Sequence, residues 1–297
     1  MTRVPVILNP TAGGGRLLRA RAALSDAAAS SGVVLEMWPT CGPGHATELA
    51  AQAVTEDRPL VFAFGGDGTY NEVARGLLGS TTVMGVLPGG TTSVLAYEFG
   101  VPRPVSRAVI ALLGGGDRAM RVGRSDLGDL VLLMLSAGPD SHVLERLRPS
   151  FKRLGGRIGV ALQALVETMG SSALPKMRVV TEKTTEDAGW VIVGNSRCYG
   201  GRHCATPGAD PFRGDLEVVV QRSTGRRAAA AFLCGIPNGR HVRRTDVLRE
   251  TVVRVRIEPV PPDTAVPYQV DGDVVGVLPV EIEVDPQTLW VRLPGEP

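Results

Sequence analysis

The first 120 residues alternate short apolar runs with segments of helical periodicity, and this alternation narrows the possible folds more than any other feature. Residues 4–8, 33–38, 60–64 and 83–87 read as buried strands. Between and after them, residues 16–31, 44–55, 69–78, 91–98 and 104–113 read as helices, the first closed by Gly32 and the third by Gly79. Repeated βα units of this length predict a parallel sheet with helices on both faces. After Gly114-Gly115-Gly116 the pattern changes. Residues 130–135, 177–181, 190–193, 216–221, 252–257, 268–270 and 280–284 read as strands that follow one another, interrupted by a long helical stretch at 149–169 and an Ala-rich one at 226–233. That half predicts an antiparallel β domain with helical insertions. The expected division is an α/β domain over residues 1–121 and a β-rich domain over 122–284.

Three glycine-rich turns stand where a parallel sheet places ligands, just after the carboxyl ends of strands. They are Asn9-Pro10-Thr11-Ala12-Gly13-Gly14-Gly15, Gly65-Gly66-Asp67-Gly68-Thr69 and Pro88-Gly89-Gly90-Thr91-Thr92, each followed by a helix. One such turn is often plain geometry, but three aligned ones predict a crevice where backbone N–H groups and positive helix ends meet a phosphate chain. Asp67 is the informative residue. A carboxylate among anion-seeking amides would compete with phosphate unless a metal ion or a hydroxyl took up its charge.

Composition removes other classes. Aromatics make up 4% of the chain, and 32 Lys+Arg stand against 30 Asp+Glu, so neither stacking platforms nor a basic track for nucleic acid is expected. Only Lys152, Lys176 and Lys183 are lysines, and none lies in a glycine turn, which excludes a Walker A loop and a protein-kinase lysine. Four cysteines and no charged-then-apolar leader predict the reducing cytosol. His203, Cys204 and Cys198 match no zinc spacing, so no metal is expected there.

The run Phe64-Gly65-Gly66-Asp67-Gly68-Thr69-Tyr70-Asn71-Glu72-Val73 resembles the nucleotide-binding signature of the diacylglycerol kinase catalytic domain family, which includes sphingosine, ceramide and bacterial lipid kinases. Asn9-Pro10-Thr11-Ala12-Gly13, Thr40 with Gly44-His45-Ala46, and Leu87-Pro88-Gly89-Gly90-Thr91-Thr92 resemble the family's other nucleotide contacts. Ser136 to Asp140, Leu154-Gly155-Gly156-Arg157 and Val270-Asp271-Gly272-Asp273 continue the likeness in order. The resemblance implies a fold like NAD kinase and diacylglycerol kinase, with an interdomain active site and residues 285–297 returning to the first domain. It also implies ATP as donor and a lipid hydroxyl as acceptor. Nucleotide contacts implied are Asn9, Pro10, Thr11, Ala12, Gly13, Thr40, Gly65, Gly66, Asp67, Gly68, Thr69, Tyr70, Asn71 and Thr92, with Mg²⁺ near Asp67. A cytoplasmic protein that visits the membrane surface is expected. The alternatives are a kinase of a soluble acceptor such as NAD, and a nucleotide- or lipid-binding homologue without turnover.

Asp271 and Asp273 flank a glycine between strands, where alternation would point both carboxylates the same way. Such a pair suits proton abstraction from a hydroxyl, while Asp-Gly alone is also a hairpin turn. The resemblance makes the acid-Gly-acid turn the catalytic base and leaves open which acid takes the proton. Two departures stand out. Thr92-Ser93-Val94-Leu95 replaces the family's Thr-Asn-Asp-Phe, and Arg213 in Phe212-Arg213-Gly214-Asp215 stands where bacterial members carry an acid that holds a structural Mg²⁺. That second metal is expected to be absent, or rebuilt from Asp210, Asp215 or Glu217. Asp140 reads as a helix N-cap or as a group near the acceptor. The basic stretches at 151–153, 226–227 and 240–244 read as solvated faces or as a surface for anionic headgroups.

Overall fold

The computed structural model describes residues 2–11, 24, 32–90, 92–146 and 174–295. The predicted helices 16–31 and 149–169, the basic stretch 151–153 and the motif at 154–157 lie outside them or almost wholly so. The chain divides into two compact units, Met1–Arg121 with Pro286–Pro297, and Val122–Asp285.

The first unit is a doubly covered α/β sheet. Strands β1 (Thr2–Leu8), β2 (Val33–Pro39), β3 (Leu60–Gly65), β4 (Val83–Pro88) and β5 (Gly116–Met120) combine with a last strand, Leu289–Leu293, in the order β2-β1-β3-β4-last-β5. The first four are parallel neighbours, the last strand runs parallel to β4, and β5 is antiparallel to it. All six residues of β3 are buried, as a strand covered on both faces requires. Helix Asp67–Leu77 seals one face with Tyr70, Val73, Ala74 and Leu77, an i, i+3, i+4, i+7 stripe. Helix Val105–Leu113 buries Ala108, Val109 and Leu112 in the same way.

The second unit is antiparallel throughout. Its strands are β6 (Gly123–Ser125), β7 (Leu130–Val131), β8 (Met134–Ala137), β9 (Lys176–Thr181), β10 (Thr185–Ala188) and β11 (Trp190–Gly194). They continue with β12 (Cys198–Tyr199), β13 (His203–Cys204), β14 (Leu216–Gln221), β15 (Val247–Val252), β16 (Arg254–Val260), β17 (Pro267–Val270), β18 (Asp273–Val277) and β19 (Val280–Val284). One sheet has the order β10-β9-β16-β19-β6-β7 and the other β15-β14-β11-β8-β17-β18. Val179, Val255, Ile257 and Ile282 of the first meet Leu135, Val191, Val193, Val218 and Tyr268 of the second in one core, a β-sandwich. The second sheet is also buried on its outer face, where Met134, Trp190, Ile192 and Val219 pack under Ala229 and Phe232 of helix Arg226–Gly235.

The run read as a single strand at 130–135 is two. β7 belongs to one sheet and β8 to the other, and the chain crosses between them at Leu132-Leu133. The apolar run is continuous because both strands are buried, so hydrophobicity alone does not mark the break. Among the described residues no helix is long and apolar enough to cross a membrane.

Candidate functional site

The register of the first sheet aligns the carboxyl ends of its parallel strands. Leu8 pairs with both Pro39 and Phe64, and Gly65 pairs with Pro88. Asn9, Thr40, Gly66 and Gly89 therefore leave the sheet along one edge. The Asn9 amide donates to Phe64 O (3.2 Å) and the Thr40 amide to Leu8 O (2.9 Å), which carries the strand ladder into the turns. Thr11 folds back on Asn9, its N–H and hydroxyl both donating to Asn9 Oδ1 at 2.9 and 2.7 Å. Pro10 is exposed. Ala12 and Gly13 lie outside the described residues.

Asp67 opens helix Asp67–Leu77, and its carboxylate spans the second and third turns. Oδ2 accepts the Val94 N–H at 3.0 Å and the Thr92 hydroxyl at 3.4 Å, and Oδ1 accepts the Leu95 N–H at 3.0 Å. The sequence suggested a metal or hydroxyl as the charge partner, whereas two backbone amides do most of the holding. Burial nonetheless pushes the Asp67 carboxyl above the usual range, with the amides and Thr92 pulling the other way. Ser93, seen in the sequence only as a departure, is a staple. It adopts a left-handed φ of 45°, its Oγ accepts the Gly90 N–H (3.2 Å), and its hydroxyl donates to Gly65 O (3.2 Å).

Several residues expected at the nucleotide turn inward instead. Tyr70 is 0% exposed, and its hydroxyl faces Gly65 O and Leu87 O at 3.0 and 2.9 Å, so its ring supports the strand ends from below. The apolar stripe it shares with Val73, Ala74 and Leu77 is the signal that places it there. Thr69 is also buried, with its side chain packed over Gly65. In the third turn the amides are already used: Gly89 N–H and Gly90 N–H both donate to Gly65 O, at 2.9 and 2.8 Å. Asn71 accepts from Arg75 Nε at 2.9 Å. Glu72, which the sequence showed only as part of the run 64–73, accepts the Ala46 N–H (3.2 Å) and ties the start of helix His45–Thr55 to this edge.

Glycine serves two different purposes here. A Cβ on Gly90 would come within 2.8 Å of the Gly66 Cα, so the second and third turns touch through glycine backbones. A Cβ on Gly68 would meet nothing within 4 Å, and Gly68 has no left-handed φ. Among the described residues, neither packing nor backbone conformation calls for glycine at 68. The space before it, at a helix start whose first N–H groups have no intrahelical acceptor, fits a phosphate brought close to the backbone.

In the second unit, Asp271 and Gly272 are the two central residues of the β17–β18 hairpin, with φ of 52° and 100°, so the Asp-Gly hairpin turn is present. The left-handed Asp271 breaks the alternation that would have pointed both acids one way. Asp271 reaches back to the sheet crossing, accepting the Leu132 N–H on Oδ2 (3.1 Å) and the Leu133 and Met134 N–H groups on Oδ1 (2.9 and 3.0 Å). Asp273 opens β18 and is exposed.

Asp140 lies in the first turn of helix Pro139–Arg146 and is 5% exposed. It is not a simple cap. Tyr199 donates to its Oδ2 (3.0 Å), and Ser136 Oγ lies 3.0 Å from its Oδ1 while accepting the Trp190 indole N–H at 3.2 Å. Burial raises the Asp140 pKa against these neutral donors and raises that of Tyr199 well above the usual phenol range. A carboxyl with a raised folded pKa is stabilising while protonated, below the unfolded value of about 3.9, and that stability is lost as pH rises through the folded pKa. Asp140→Asn should therefore match the wild type in acid and melt higher at neutral pH, the gap opening as pH increases. Equal melting temperatures at every pH would refute this.

Arg213 occupies the position where the family's acid was expected. Its guanidinium donates to Asp215 Oδ1 (3.1 and 2.8 Å) and to Gly208 O (2.8 Å). Glu217, 2% exposed, takes the Gly208 and Ala209 amides on Oε2 and Arg249 Nε on Oε1. Both acids thus carry arginine partners. Of the basic residues at 240–244, Arg240 and Arg243 are exposed, whereas Arg244 is held bidentate by Asp246 at 2.8 Å.

Residues 3–125 match the diacylglycerol kinase catalytic domain, and residues 134–293 match the YegS C-terminal NAD kinase beta sandwich-like domain. The chain is similar to a diacylglycerol kinase of Mycobacterium tuberculosis, 28% identical over 98% of this chain and 95% of that protein. It is also similar to a diacylglycerol kinase of Bacillus subtilis, 24% identical over 100% and 98%. A crystal structure of a diacylglycerol kinase from Bacillus anthracis shares the fold with a TM-score of 0.74 at 20% identity, covering 98% of this chain and 96% of that one. The two matched segments together span nearly the whole chain, and the chain is a member of the diacylglycerol kinase catalytic domain family, a family of phosphotransferases.

Proposed function

We propose that this protein is a lipid kinase that transfers the γ-phosphoryl group of ATP to a lipid hydroxyl, with Mg²⁺, the first unit binding nucleotide and the second serving the acceptor. The observation that carries this reading is the shared edge of the first sheet, where Asn9, Thr40, Gly66 and Gly90 leave the strands beside Gly68, which has an open face among the described residues. Full-length similarity to proteins named diacylglycerol kinase supports the acceptor class.

Phosphoryl transfer asks for positioning and charge neutralisation rather than covalent chemistry from the protein. Bound Mg²⁺–ATP supplies the phosphoryl group and the counter-charge to its oxygens. The N–H groups at the start of helix Asp67–Leu77 receive phosphate oxygens, and Gly68 lets them approach. Asp67 would hold the cation with lone pairs that the Val94 and Leu95 amides leave unused, and its raised pKa fits a carboxylate whose charge those amides only partly offset. Asp271 or Asp273 accepts the hydroxyl proton as the lipid oxygen attacks.

Labelled ATP offered with diacylglycerol, sphingoid and polyprenol acceptors in anionic vesicles, and with NAD in solution, tests the reading. Labelled lipid is expected, and reversing Arg240 and Arg243 should raise KM for the vesicle substrate with kcat kept. Phosphorylated NAD alone would replace the lipid reading, and intact ATP binding with no labelled acceptor would replace the catalytic one.

A further inference from the structure

The hairpin formed by β12 and β13 carries two of the four cysteines, and their positions are specific. Cys198 and Cys204 are direct register partners across the ladder. The Ala205 N–H donates to Arg197 O at 3.0 Å, which makes 197 and 205 a hydrogen-bonded pair and 198 and 204 the non-hydrogen-bonded pair next to it. Residues in such a pair project to the same face with Cα atoms about 4.5 Å apart, inside the range of about 4.4–6.8 Å that a disulfide spans. None of the four cysteines is in a disulfide in this structure. The loop that joins the strands contains Gly200 and Gly201, both at positive φ, which lets so short a connection reverse the chain and hold the two cysteines opposite each other.

Exposure gives the two sulfurs different parts. Cys204 is partly exposed and Cys198 is buried, 7% exposed. We propose that Cys198 and Cys204 form a reversible intramolecular disulfide, a redox modification site that takes a low-molecular-weight disulfide as oxidant. The Cys204 thiolate attacks one sulfur of the reagent, forming a mixed disulfide and expelling one reagent thiolate. The Cys198 thiolate then attacks the Cys204 sulfur and expels the second. The two cysteine protons leave with the two reagent thiols, and the reagent disulfide is the species reduced.

The bond has a route to the rest of the second unit. Tyr199 lies between the cysteine strand positions and the Asp140 network, its ring against the Trp190–Phe232 cluster and its hydroxyl on Asp140. Adjusting the pair to disulfide geometry shifts the backbone that carries Tyr199, and Trp190, linked through Ser136 to Asp140, should register the change in its emission.

The test uses the full chain with exposed Cys41 and Cys234 replaced by Ser, incubated with oxidised glutathione while folded. The expected product has lost two hydrogens in mass, bears no glutathione, and yields peptides cross-linked between 198 and 204. It should return to dithiol with a reducing agent, with tryptophan emission moving in step. Cys198→Ser should instead retain one glutathione on Cys204. Two alkylatable thiols after equilibration, a stable glutathione adduct on Cys204 of the unsubstituted pair, or a cross-link that forms only in denaturant would each overturn the proposal. The readout is independent of kinase activity.

Discussion

Asp271→Ala should destabilise the second unit by about 3 kcal/mol, the cost expected when buried hydrogen-bonding groups lose a charged partner. The reason lies in the crossing between β7 and β8. A chain that leaves one sheet for another gives up its ladder partners for a residue or two, and those N–H and C=O groups must be satisfied elsewhere. Here the carbonyls are taken by the other side: Leu133 O accepts from the Asn195 and Ser196 amides, and Leu132 O from the Asn195 side chain and the Ser196 hydroxyl. The amides of Leu132, Leu133 and Met134 all go to the Asp271 carboxylate. Alanine removes that acceptor and also places a Cβ without a polar side chain at a φ of 52°. Asp271→Asn keeps one oxygen and tolerates the left-handed backbone, so its loss should be smaller. Urea titration of the three proteins measures this, and an Ala variant as stable as the wild type would show that the amides have other partners. The result also bears on catalysis. A dead Asp271→Ala enzyme does not by itself identify the base, whereas the pH dependence of kcat in Asp271→Asn and Asp273→Asn, both still folded, does.

The sequence revealed the glycine turns because each is a local signal: a buried strand, a glycine cluster, then a helix start. Parallel βα topology then forces their carboxyl ends to one edge, so their meeting was legible without coordinates. The direction of side chains within the turns was legible only in part. Tyr70 shares a helical stripe with Val73, Ala74 and Leu77, and that pattern alone would have put it in the core rather than at a ligand. Ser93 could not be read that way, since its role depends on a left-handed backbone and on two atoms of other turns, Gly90 N and Gly65 O. Strands β5, β6, β10, β12, β13, β15 and β18 were missed for another reason. β5 reads Gly-Asp-Arg-Ala-Met, and only Met120 is buried, so it carries no apolar alternation, being defined by its neighbour Leu289–Leu293 from the far end of the chain. Asp271 shows the same limit in the second unit, because its partners lie more than a hundred residues away at a break that hydrophobicity does not mark.

Gly68→Ala should separate folding from function more sharply than any other single change. In the first turn of a helix, at an ordinary φ with nothing within 4 Å of the new methyl, the substitution should leave stability unchanged or raise it by about 0.5 kcal/mol through the unfolded chain. Among the described residues the methyl meets nothing, so a ligand is what it would report. If phosphate oxygens sit against this backbone, an added methyl displaces them by about an ångström, and losses on the order of 10²-fold in kcat/KM follow from misplacement of that size. Gly90→Ala makes the opposite control. Its methyl would meet the Gly66 backbone at 2.8 Å, so it should lose about 1–3 kcal/mol of stability along with activity. Melting temperature and ATP affinity measured on both variants give four numbers with a fixed pattern: binding falls in both, stability only in Gly90→Ala. A Gly68→Ala protein that melts normally and binds ATP as well as the wild type would mean that no phosphate approaches this turn, and the nucleotide reading of the first unit would fall with it.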